Sequence, residues 1–132
     1  MRAACPPGAV GIRRGRGAAA PGPGRVALVT PQEFATGIDR LLTQVGHWEQ
    51  GRWWVHTPAG PTKADLTYGL VQRLADLGAD AEGRLRRTVP RLTDPVLPDQ
   101  VRVTADDLLA AEPGEDVLEQ AGAEVDALRR AL

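Results

Sequence analysis

At 132 residues, with 42% apolar and 25% charged side chains, the chain has the size and balance of one small globular domain that builds its core without disulfides or metal. A lone cysteine, Cys5, excludes an intramolecular disulfide and a cysteine-based zinc site, and the absence of serine excludes a serine nucleophile. The net charge of −1 divides into +5 over residues 1–29, where five arginines stand without an acid, and −6 over the remainder, a balance that disfavours nonspecific binding to nucleic acid or anionic lipid.

No stretch reaches the roughly 20 apolar residues of a membrane helix, and the N-terminus lacks the apolar core of a signal peptide. Together with the reduced state that a single cysteine suggests, this predicts a cytoplasmic protein without a membrane partner.

Of residues 1–25, 21 are Gly, Ala, Pro or Arg. So little apolar surface cannot offset a backbone entropy of about 1 to 2 kcal/mol per residue, and residues 1–29 are expected to form a disordered tail. The favoured reading is that translation starts at Val26 or Val29. A basic arm using Arg13, Arg14, Arg16 and Arg25 is an alternative.

Residues 30–132 are expected to form one helical domain. The first helix opens on Thr30, Pro31 and Glu33, which supply an N-cap, a first-turn proline and a capping-box carboxylate. Phe34, Ile38, Leu41, Leu42 and Val45 then recur at helical spacing, and Gly46 ends the run.

The second helix is predicted from Thr62, in capping relation to Asp65, to about Glu82. Leu66, Leu70, Leu74 and Leu77 make one apolar stripe, and Ala64, Tyr68, Val71 and Ala75 make a second beside it. A face that wide needs two neighbours, which leaves Asp65, Gln72, Arg73, Asp76 and Asp80 for solvent. Residues 83–97 show no period and read as an irregular connection.

Pro98 is expected to open the third helix, with Val101, Ala105, Leu108 and Leu109 inward and an end before Pro113. The last helix begins at Glu115 and Asp116, carries Val117, Leu118, Ala121, Val125, Leu128 and Leu132 on one stripe, and closes on Arg129 and Arg130, charges that match the macrodipole at both ends. Four such helices predict an all-α fold, a small antiparallel helical bundle. The alternative is a three-helix core whose last helix docks on a second copy, giving a homodimer.

Two segments stand out as candidate sites. The connection from Gly46 to Pro61 gathers all three tryptophans and both histidines: His47, Trp48, Trp53, Trp54 and His56, with Arg52 among them. Long structured connections often carry function, and tryptophan and arginine dominate binding hot spots. A purely structural role competes with this, because Trp48 follows the first apolar stripe and can close the end of the core. Trp53 and Trp54 cannot both point inward from an extended segment, so one of them is expected to be exposed.

The second candidate is the basic cluster Arg84, Arg86, Arg87 and Arg91. These arginines suit phosphate or an acidic partner. Equally, they follow the C-terminus of the second helix, where they can pair with Asp76, Asp80 and Glu82, and no aromatic is interleaved to stack a base.

No metal, cofactor or catalytic constellation is read: two histidines nine positions apart fall short of the three protein ligands usual in a catalytic zinc site. The function expected is a non-enzymatic protein-interaction or regulatory module presenting the tryptophan loop to an unidentified protein partner. The rivals are a nucleic-acid-binding helical protein using Arg84 to Arg91, and a small-molecule-binding bundle with a pocket beside His47 or His56.

Overall fold

The computed structural model describes residues 29–132. Apart from Val29, the tail expectation falls outside the described residues. Both capping boxes form. Thr30 Oγ1 accepts from the Glu33 backbone N–H at 3.0 Å while Glu33 accepts from the Thr30 N–H at 2.9 Å, opening α1 (Pro31–Val45). Thr62 and Asp65 exchange the same two bonds at the start of α3 (Lys63–Ala81). Each box satisfies two amide groups that a helix start otherwise leaves unpaired.

Between these helices lies α2 (Gln50–Trp53), a single turn within the tryptophan connection. After α3 the chain runs without regular structure to a 3-10 turn at Asp94–Val96 and then into α4 (Leu97–Ala110), where Pro98 occupies the first turn. The chain ends in α5 (Glu115–Ala131). Among the described residues the extended structure is limited to one isolated bridge between His56 and Thr62, and no described helix is long and apolar enough to cross a membrane.

The core is built from the expected stripes: Phe34, Ile38, Leu41 and Val45 of α1, Leu70, Val71, Leu74 and Leu77 of α3, Val101, Ala105 and Leu108 of α4, and Leu118, Ala121, Val125 and Leu128 of α5. Burial of each large side chain contributes about 1.5 to 3 kcal/mol. Because α5 packs on α1 and α3 of its own chain, the core is closed within one copy.

The connectivity is more particular than a simple up-and-down bundle. Contacts run around a ring in which α1 touches α4 and α5, and α3 touches α4 and α5, so the consecutive pairs α1/α3 and α4/α5 stand diagonally. Along α1, Val29 lies at Gly122, Gly37 at Val125 and Gln44 at the Arg129 carbonyl, so α1 and α5 run the same way.

Residues 87–90 touch Tyr68 and Gln72 of α3 and Gln100 of α4, while Gly78 lies against the α4 backbone at Leu108. A Cβ built on Gly78 would be 3.7 Å from Leu108 Cα. Thus α3 and α4 also run the same way, and the long connection between them returns the full length of the pair. α3 opposes α5, to which it is tied by Arg73 and Glu124 at 3.3 Å, and α1 opposes α4, tied by Asp39 and Arg102 at 2.7 Å.

That returning connection corrects the solvated arc expected on α3 at one position, Gln72. Gln72 Oε1 accepts from the Val89 N–H at 2.8 Å, Gln72 Nε2 donates to the Arg87 carbonyl at 3.0 Å, and the Tyr68 hydroxyl donates to the Val89 carbonyl. Gln72, with Tyr68 beside it, thus supplies bonds to an irregular segment that has no sheet to join, so the arc is covered there while Asp65 and Asp80 stay exposed.

Candidate functional site

The single turn of α2 decides where the tryptophans point. Trp53 is fully buried and Trp48 is 8% exposed, with ring centroids 4.9 Å apart and planes at 66°, an edge-to-face pair that closes the end of the core beneath the loop. Trp54 is 62% exposed. The two neighbours diverge as expected, but by a different cause: they stand at the end of a helical turn, where successive side chains are rotated by about 100°, and not in an extended segment.

Two cations stand over the Trp48 ring, the Arg52 guanidinium at 5.1 Å and the Lys63 ammonium at 5.2 Å from its centroid. Such contacts are worth about 0.5 to 1 kcal/mol at exposed sites. Arg52, read as a partner-binding residue, is therefore exposed but already leans on the loop.

Trp54 is exposed without being loose. Its indole Nε1 donates to Asp94 Oδ2 at 3.1 Å, and Gln50 Nε2 donates to the same oxygen at 2.6 Å. Arg91 lies 3.7 Å from the other Asp94 oxygen, 3.1 Å from Asp65 Oδ1, and over the Tyr68 ring at 4.9 Å. The network joins the two candidate segments: Trp54 of one connection and Arg91 of the other meet at Asp94. The hydrogen bond from Arg91 and the capping bonds from Thr62 hold the Asp65 carboxyl below its ordinary range.

Both histidines are exposed. His56 Nδ1 lies 2.6 Å from the Gly60 carbonyl, and since a carbonyl only accepts, the proton sits on Nδ1. The bond closes a tight turn in which Gly60 takes φ +115°, a conformation open to glycine, and Thr57 accepts from Gly60 while donating through backbone and side chain to Pro61. His56 is thus a turn-forming residue as well as a surface one. His47 stands apart from this turn at the end of α1. Among the described residues no group of three or more His, Cys, Asp or Glu side chains is placed to hold a metal.

The basic cluster is dispersed and largely neutralised. Arg84 pairs with Glu82 at 2.6 Å and Arg86 with Asp80 at 2.6 Å and Asp76 at 3.9 Å, while Arg91 is spent on Asp65 and Asp94. The Arg86 hydrogen bond lowers the Asp80 pKa, and Asp80 in turn raises that of Arg86. Only Arg87 of the four has no acidic partner among the described residues.

Surface hollows of about 310, 380, 520 and 280 Å³ occur along the helices, and none of these four is lined by a histidine or a tryptophan. The residues that sequence reasoning missed are Gln50, Asp94, Tyr68 and Gln72, which organise both segments. Their partners lie 15 to 44 positions away, and no local pattern marks them. No protein-family model, curated protein or solved structure matches the chain.

Proposed function

We propose that this protein is a non-enzymatic protein-interaction module whose contact surface centres on Trp54. One observation carries the reading: Trp54 is 62% exposed yet its indole is held by Asp94, so a large rigid side chain is presented in a fixed orientation. Docking a side chain already fixed costs less ordering entropy than docking a free one, and tryptophan is among the residues most enriched in hot spots. Val55, also exposed, extends the apolar surface, and Arg52 beside it favours a partner carrying an acidic group near its apolar anchor.

Neutralisation of three of the four clustered arginines counts against the nucleic-acid reading, since phosphate binding needs cations free to replace counterions.

The test is capture of partners on the full chain and on Trp54→Ala, followed by titration of each purified partner. Trp53 is left intact because its loss would unseat the core. Trp54→Ala is expected to weaken a true partner by about thirtyfold or more, the scale of a hot-spot truncation, while thermal stability changes by no more than about 1 kcal/mol. Affinity within about twofold of wild type for every partner found would remove the proposal.

A further inference from the structure

The face made by the second connection and α4 has no role in the Trp54 reading. Leu85 is 85% exposed, the most exposed large apolar side chain among the described residues, and Val103 on α4 is 56% exposed. Two hollows lie side by side on this face and share Val89 and Thr104. One, of about 310 Å³, is lined by Leu85 with Arg84 and Arg87. The other, of about 280 Å³, is walled by Val96 and Val103, with Asp99 among its lining residues.

A lone exposed leucine is ordinary, but Leu85 and Val103 line adjoining hollows that share Val89, and apolar surface that is continuous in this way marks an interaction site. The face carries both halves of a fit: a projecting leucine at one end and an apolar hollow larger than a leucine side chain at the other. The charges repeat the pattern. Arg87, two residues from the projecting leucine, has no acidic partner, and Asp99, lining the hollow, has no basic partner, among the described residues.

A surface holding a knob with a free cation and a hole with a free anion is complementary to itself. A two-fold axis satisfies both halves at once, because each contact from one copy to the other is repeated in reverse.

We propose that this face is the interface of a homodimer in which Leu85 of each copy enters the Val96 and Val103 hollow of the other, and Arg87 of each copy pairs with Asp99 of the other. The interface shares no residue with the Trp54 surface, so the two functions are separable. A dimer would present two Trp54 surfaces on one particle and bind a divalent partner more tightly than one copy does.

Sedimentation equilibrium of the full chain from about 1 μM to about 1 mM tests this over the range in which weak dimers form. Wild type is expected to dimerise with concentration. Leu85→Asp, checked for fold by circular dichroism, is expected to weaken the dimer at least about thirtyfold. Arg87→Asp and Asp99→Arg alone each place like charges in both halves of the interface and should be monomeric where wild type is dimeric. Mixed in equal amounts, they restore opposite charges in both halves and should form a heterodimer.

A wild-type chain that stays monomeric throughout overturns the proposal. So does a dimer indifferent to Leu85→Asp, or a mixture that associates no better than either variant alone. Because Leu85 touches little of its own chain, its substitution remains decisive even should Asp99→Arg disturb the start of α4.

Discussion

The two long connections of the bundle are similar in length and held by opposite means. The first, from α1 to α3, is pinned by side chains that leave water: Trp48 and Trp53 insert beneath it, and the loop follows them. The second, from α3 to α4, buries little of itself and is pinned through its backbone, whose amide and carbonyl groups at residues 87–90 are taken up by Tyr68, Gln72 and Gln100. An irregular segment can therefore be ordered either by apolar anchors of its own or by polar groups its neighbours supply. The first kind leaves its mark in the loop, and the second leaves it in the helix beneath.

Breaking the anchors should separate the two. Trp53→Ala empties a fully buried ring site and is expected to cost about 3 to 5 kcal/mol in urea unfolding, with Trp54 losing its orientation as α2 collapses. A cost below about 1 kcal/mol would mean that the first connection is not held as described. Gln72→Ala removes both bonds to residues 87 and 89 and leaves the half-buried Val89 amide without its acceptor, for an expected loss of about 1 to 3 kcal/mol. Hydrogen exchange should then speed up at Val89 while the amides of α2 keep their protection. Equal acceleration in both connections would show that they are one cooperative unit.

The smallest effect is electrostatic. Asp65 and Asp80 have folded pKa values lowered by Arg91 and Arg86, so at acid pH the unfolded chain binds more protons than the native one. The stability these pairs contribute is fully present above the ordinary carboxylate range near about pH 4, and is lost as pH falls through the lowered native values. Both carboxylates are exposed, so the contribution is small and screened by salt. Urea midpoints measured between neutral pH and about pH 3 should fall less steeply in an Asp65→Asn, Asp80→Asn double variant than in wild type. An unchanged slope at low salt would assign the acid limb to other groups.

What could be read from the residues follows the same division. Both capping boxes, the four apolar stripes and the helix ends at Gly46 and near Glu82 are local signals, and all describe the observed helices. The single turn of α2 was hidden because four residues show no period, and the 3-10 turn at Asp94 moved the start of α4 from Pro98 to Leu97 for the same reason. That one of Trp53 and Trp54 faces water follows from their adjacency, but which one depends on that turn.

Asp94 was not legible as the meeting point of the two segments, because Gln50 and Trp54 reach it across 44 and 40 positions. Gln72 and Tyr68 read as solvated or core residues of a helix, since the irregular segment that uses them comes back only through the crossover. Leu85 carried a faint signal, one apolar side chain alone among arginines.

The ring order of the helices has a consequence for how the molecule is made. Neither α1 with α3 nor α4 with α5 forms a hairpin that packs on itself, and the extensive α3/α4 contact is closed only once the intervening segment has folded back. No pair of consecutive helices joined by a short turn can serve as a self-standing nucleus, and most of the core is assembled between parts of the chain distant in sequence. Helical bundles rich in local contacts are among the fastest folders, whereas contacts that need long loops closed first slow the search. In this bundle the two neighbours of α1 are α4 and α5, both in the second half of the domain, so the first helix waits on the last two for cover of its apolar stripe.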